Sequence, residues 1–284
     1  MQSGEHVHII SAGANIHTAY AAIFRTLPSI TRTCVLIDST NMEFSPVPEI
    51  QKQRTAVRNA TATVKEISAS LSIPFTSTIV HSPVYPSVRT ILLQIRLGNP
   101  RARYTFDLSG GSPALCVALS SLAPWLGGEV YSAFDGKVPG IVPGADPAVK
   151  TLMENPNYQT ILAVLLRNNR PVNGAVALPS ISRTYLFTQV WQYYHRSRTM
   201  KIQTDPAIPV PRYRKGRTAG QNMTQQTFSG FMQKLCRHGL VEEMQDTKNR
   251  KEKFYRVTDC GETAFRFSSD PAANSLVRMI LEGS

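Results

Sequence analysis

The chain has little of what marks an exported, membrane-spanning or metal-bound protein. Its 284 residues include four cysteines, Cys34, Cys116, Cys236 and Cys260, and no two are close enough for a CxxC metal or redox motif. Secreted disulfide scaffolds are smaller and cysteine-dense, so reduced thiols and a cytoplasmic location are the expectation. Apolar runs such as Ile161–Leu166 fall far short of the roughly 18 residues of a membrane span, so no membrane partner is expected. The opening MQSGEHVHII lacks the basic stretch and long apolar run of a secretory signal. The histidines do not cluster with carboxylates at ligand spacing, so neither a metal nor a resident cofactor is expected. Acidic residues are also scarce, 19 Asp+Glu against 31 Lys+Arg, for a net charge of +12. That imbalance points to an anionic partner rather than to a fold. It is uneven: residues 1–150 hold 12 Lys+Arg against 9 Asp+Glu, and residues 151–284 hold 19 against 10.

What is present, 42% hydrophobic residues, suffices for a packed core. Over the first half, short apolar runs alternate with helical patterns. His6–Ile10, Thr33–Ile37, Ile73–Val80, Arg103–Leu108 and Glu129–Asp135 read as strands. Ile16–Leu27, Pro48–Leu71, Val84–Leu97 and Pro113–Trp125 read as helices between them. This order predicts an α/β fold, a Rossmann-like, mostly parallel sheet with helices on both faces. Val138–Pro147, rich in Pro and Gly, predicts a short hairpin and then a boundary. The expected organisation is a ligand-sensing domain over 1–145, a linker helix region over 146–180 and a DNA-binding domain over 181–284.

The fourth strand runs directly into Asp107-Leu108-Ser109-Gly110-Gly111-Ser112-Pro113. Paired glycines let a ligand approach the backbone, Ser112 suits an N-cap and Pro113 the first helical position. Free N–H groups at a positive helix end suit phosphate, although the same residues would also serve a plain tight turn. The motif is neither a P-loop nor the GxGxxG fingerprint. After the first strand, Ser11-Ala12-Gly13-Ala14-Asn15 emerges on the same sheet edge, where Asn15 could simply cap the next helix.

HVHIISAGANIHTAYAAIF, TCVLID, VYPSVRTILLQI and ARYTFDLSGGSPALCVAL together resemble the CARF domain, the CRISPR-associated Rossmann fold, over about residues 5–145. The resemblance implies a pocket for a cyclic oligoadenylate, usually formed across a homodimer. Ser11, Gly13, Ala14 and Asn15 would line one side, and Ser109, Gly110, Gly111 and Ser112 the other. Where many members carry Lys or Arg after the second hydroxyl residue, this chain has Pro113-Ala114.

Residues 224–267 resemble the recognition helix and wing of winged helix-turn-helix regulators, so the whole chain resembles archaeal CRISPR-associated transcriptional regulators. Phe228, Phe231, Met232 and Leu235 anchor the helix, and Gln225, Gln226 and Ser229 are the candidates to meet base edges of double-stranded DNA. Lys248, Arg250, Lys251 and Lys253 would meet phosphates, or form only a solvated hairpin. The basic stretch Arg212–Arg217 stands where the family would have its second helix. The leading expectation is a ligand-responsive transcriptional regulator with no catalytic residue. The alternatives are a ring nuclease that cleaves the cyclic oligoadenylate, and a DNA-binding regulator that senses another nucleotide.

Overall fold

The computed structural model describes residues 5–27, 29–132, 136–137, 147–168, 180–194, 223–245 and 252–283. They fall into two compact units, Met1–Asp146 and Pro147–Ser284.

The first unit runs β1 (His6–Ser11), α1 (Ile16–Thr26), β2 (Arg32–Asp38), α2 (Pro48–Ser70), β3 (Phe75–Val80), α3 (Val84–Gly98), β4 (Arg103–Asp107), α4 (Pro113–Leu122), β5 (Glu129–Ser132) and β6 (Gly136–Lys137). The sheet order is β3-β2-β1-β4-β5-β6. The first five of these strands are parallel, and β6 returns antiparallel to β5. This is the expected Rossmann-like α/β sheet. The short return at β6 begins earlier than the expected hairpin, whose residues 138–146 lie outside the described residues.

Alternation along the strands sorts the core into two layers. Ile10, Val35 and Ile37 cluster with Ile16 and Tyr20 of α1 and Val57 and Val64 of α2. Val7 and Ile9 point the other way, where α3 and α4 pack on each other and bury Val88, Leu92, Leu115 and Leu119. The layer under α1 also holds a buried polar strip. Thr105 Oγ1 lies 3.0 Å from His6 Nε2 and 2.8 Å from His8 Nδ1, and His6 Nδ1 lies 2.9 Å from Ser29 Oγ. Burial drives the His8 pKa down to about 3, so this ring is neutral.

The second unit comprises α5 (Pro147–Met153), α6 (Pro156–Asn168), β7 (Ile181–Ser182), α7 (Arg183–Trp191), α8 (Gln225–Arg237), β8 (Val241–Gln245), β9 (Lys253–Val257), α9 (Asp259–Ser268) and α10 (Ser275–Glu282). Its antiparallel sheet has the order β7-β9-β8. α6 is buried continuously from Asn157 to Leu165 and packs on α7, α9 and α10. A helix apolar on nearly every side belongs to an interior, so α6 forms the core of this unit rather than part of a linker over 146–180. The Arg212–Arg217 stretch lies outside the described residues, and α7 packs on α8, with Phe187 and Phe228 edge-to-face at 5.4 Å.

Candidate functional site

In the first unit, β1 and β4 are neighbours, yet the chain leaves them toward opposite sheet faces. This is the switch point of the topology, and the crevice beyond the carboxyl ends of such strands is where open α/β sheets bind ligands. Two loops meet there, Ala12–Asn15 after β1 and Leu108–Ser112 after β4. They touch backbone to backbone. A Cβ on Gly13 would stand 2.6 Å from Gly110 Cα and 2.8 Å from Gly111 N. A Cβ on Gly110 would stand 2.7 Å from Ile16 Cγ2, and Gly111, at φ +94°, lies against Ser11. The glycines are therefore required by the closure of two loops on each other, in addition to any ligand.

The Ser11 hydroxyl completes that closure. It is fully buried and donates to the carbonyls of Asp107 (3.1 Å) and Gly110. Cys116 Sγ, one turn into α4, donates to the same Gly110 carbonyl at 2.9 Å. Ser11, expected to line the pocket, instead braces the loop from inside, because β1 buries it and both of its acceptors are internal. Gly13 is likewise buried, Ala14 is half-buried and Asn15 is exposed. Asn15 occupies the N-cap position of α1 without any capping bond from its side chain, so its amide group is left to the surface.

The other loop presents its backbone. Ser109 N donates to Asp107 Oδ1 at 2.8 Å. The next three amides, of Gly110, Gly111 and Ser112, donate to no acceptor among the described residues. All three residues are half-buried and stand at the start of α4. Consecutive unpaired N–H groups at a helix N-terminus form an anion-binding concavity.

Two carboxylates, neither of them among the expected site residues, complete the edge. Asp38, the last residue of β2, accepts from Ser112 Oγ at 2.7 Å, and from Thr40 N at 3.0 Å and Thr40 Oγ1 at 2.8 Å. Burial alone would raise its pKa, but the Ser112 and Thr40 hydrogen bonds outweigh burial and hold the carboxyl below its usual range. Ser112 thus caps α4 and ties β2 to β4 at once. Asp107 is fully buried, its Oδ2 has no hydrogen-bond partner among the described residues, and burial raises its pKa. The only sequence signal for either residue is an Asp closing a strand on the loop-bearing edge.

In the second unit, α8 is capped at both ends as its sequence dictates. Thr224 Oγ1 accepts from Thr227 N at 3.1 Å, and Gly239 takes φ +65° just past the helix. Phe228, Met232 and Leu235 are buried, and Phe231 meets Tyr158 of α6 edge-to-face at 5.1 Å. At about 3.6 residues per turn, the direction opposite this core carries Gln226, Gly230, Gln233 and Arg237, all exposed. Gln225 and Ser229 lie on the flank. Ser229 Oγ accepts from Arg183 Nη2 at 2.7 Å and itself donates to the Gln225 carbonyl at 2.7 Å. Of the three expected base readers, Gln226 therefore faces outward, and Ser229 is engaged with the first residue of α7. A cleft of about 550 Å³ runs along that flank, lined by Arg183, Ser229, Cys236, Glu243, Lys253 and Tyr255 among others.

The wing stem is charge-paired. Lys253 Nζ lies 2.7 Å from Glu243 Oε1, and Arg256 Nη2 lies 2.5 Å from Glu242 Oε2. Lys253, expected at a phosphate, is held by this carboxylate of the neighbouring strand. Lys248, Arg250 and Lys251 lie outside the described residues.

No curated protein sequence matches the chain. Among solved structures, it is similar to Can2 from Sulfobacillus thermosulfidooxidans in complex with cyclic tetra-adenylate, at 12% identity and a TM-score of 0.32. That match covers 98% of this chain and 62% of the other, so this chain spans less than two thirds of Can2's length. Such a TM-score is too low to establish a shared overall fold. Residues 221–261 match the family of winged helix DNA-binding domains. This range covers α8, β8 and β9, the elements that build the polar helix and the hairpin. The chain joins a Rossmann-like α/β unit to a C-terminal winged helix domain.

Proposed function

We propose that the chain is a cytoplasmic transcriptional regulator whose first unit binds a cyclic oligoadenylate and whose second unit binds double-stranded DNA, acting as a homodimer. The observation that carries the ligand half is the run of three unpaired amides at Gly110, Gly111 and Ser112, in the loop that closes on Gly13 at the switch point. Backbone donors suit a polyanion whose phosphates must be held without lysines, and the CARF-like loop sequences point to a cyclic oligoadenylate. The DNA half is supported by the capped α8, with its polar outer face, and by the basic second half of the chain. Coupling works through differential affinity: a ligand that prefers one dimer arrangement changes DNA affinity, and DNA changes ligand affinity by the same factor.

Electrophoretic mobility shift with promoter DNA, with and without cyclic tetra- and hexa-adenylate, tests both halves. The expected result is a shifted band whose midpoint moves with one ring size. Absence of a shift with every promoter tested removes the DNA half, and a midpoint indifferent to both ligands removes the sensing half. Recovery of intact ligand after long incubation is expected of a sensor; linear products would point to a ring nuclease.

A further inference from the structure

The outer face of α8 carries a glycine that nothing among the described residues of its unit calls for. Gly230 sits in the middle of a helix, where glycine is destabilising relative to alanine because it fixes a more mobile backbone. The other glycines of the described residues that bear on packing have an internal reason. Gly13, Gly110 and Gly128 have neighbours that a Cβ would strike, and Gly261, inside α9, lies under the Leu240 carbonyl. Gly111, Gly127 and Gly239 take positive φ. Gly98 also meets nothing within 4 Å, but it is the last residue of α3, at a helix end rather than in a helix interior. At Gly230 a Cβ would meet nothing within 4 Å among the described residues, and φ is not positive.

The surroundings of Gly230 are those of a contact face. Gln226 and Gln233 lie one turn before and one turn after it, Arg237 a further turn on, and Lys234 beside it, all exposed. Glutamine can pair with an adenine edge, arginine with guanine or a phosphate, and lysine with a phosphate. The flank behind this strip is fixed from within by Arg183, which holds Ser229 and the Gln225 carbonyl. Ser229 is the flank residue engaged inside the unit, and Gln233, one turn beyond it, borders both the strip and the cleft that Arg183 and Ser229 line.

We infer that Gly230 is the point of closest approach between α8 and DNA, leaving the helix backbone bare so that the major-groove floor can come against it, with Gln226, Gln233 and Arg237 as the side chains that meet base edges and phosphate. This rests on the reading of the second unit as a DNA reader, and it moves the base-reading role from Gln225 and Ser229 to the adjoining strip.

The test is Gly230→Ala in the full chain, measured by thermal melting and by binding to a duplex that the wild-type chain selects from a random-sequence library. The two readouts should move in opposite directions. The thermal midpoint should rise by a few degrees, as for a helix given back its alanine, and the dissociation constant should weaken by about tenfold or more. Gln233→Ala should also weaken binding severalfold, and Gln225→Ala should leave it within about twofold. Unchanged DNA affinity in Gly230→Ala overturns the inference, as does a fall in thermal midpoint, since Gly230 would then serve the fold. Should the wild-type chain select no duplex at all, the DNA reading itself falls, and the inference with it.

Discussion

His8 shows how much a single buried ring can decide. Its Nδ1 is paired with Thr105, its Nε2 has no partner among the described residues, and its pKa is pushed down to about 3 by burial, with the neighbouring His6 adding to the effect. The native ring stays neutral down to that value, and the unfolded ring takes a proton below about pH 6.5. The unfolded state therefore binds more protons between those limits, so stability is complete above about pH 6.5 and falls toward pH 3. The slope from this group alone is at most about 1.4 kcal/mol per pH unit. His6, also lowered by burial first, adds in the same direction, whereas the raised Asp107 opposes it. Thermal midpoints at pH 7 and pH 5 should differ more for wild type than for His8→Gln. Equal differences would mean that His8 is not held neutral. The strand around His8 is legible from its apolar alternation, and so are the Ser112 and Gly239 caps. The burial of Ser11 is not, because a serine at a loop mouth looks the same whether its acceptors are ligand atoms or the carbonyls of a loop about a hundred residues away.

At the scale of elements, α4 depends on Ser112 for more than a cap. The hydroxyl accepts from Leu115 N at 3.3 Å and donates to Asp38. Ser112→Ala removes the cap, for about 1 kcal/mol, and also deprives a nearly buried carboxylate of one of its donors, adding about 1–3 kcal/mol. Urea unfolding should show a midpoint loss well beyond that of a surface cap such as Thr224→Ala; equal losses would mean that the tie to Asp38 contributes nothing. The sequence predicts both strands and the helix here, but the meeting of Asp38 with Ser112 follows from β2 and β4 flanking β1, which only strand order reveals. Short elements escape sequence reading for a related reason. β7 is two residues long and has no period to detect, yet its pairing with Tyr255 and Phe254 places Arg183 over α8.

For the molecule as a whole, the excess of cations lies in the second half, but not all of it is available to a polyanion. Lys253 and Arg256 face Glu243 and Glu242 across the hairpin. Charge counting from sequence misses this, because Lys253 meets Glu243 diagonally and the pairing is set by register. The salt dependence of DNA binding should therefore report the turn and α8, not the stem. Replacing Lys248, Arg250 and Lys251 together with Gln should flatten the slope of log K against log salt by roughly 0.9 for each phosphate no longer neutralised. The neutral double exchange Glu243→Gln with Lys253→Gln should leave the slope unchanged. A flattened slope in the double variant would show that Lys253 reaches phosphate in spite of its partner.

The closure of Gly13 onto the Gly110–Gly111 pair has a thermodynamic consequence. Loops that close on each other through glycine backbone have few side-chain rotamers to freeze when something settles on them, and Ser11 and Cys116 already restrain their carbonyls. The ordering entropy that recognition usually takes from a mobile loop is met here during folding. An anion docking on the Gly110–Ser112 amides would then bind with a mainly enthalpic signature, its selectivity set by a backbone cradle already braced from within.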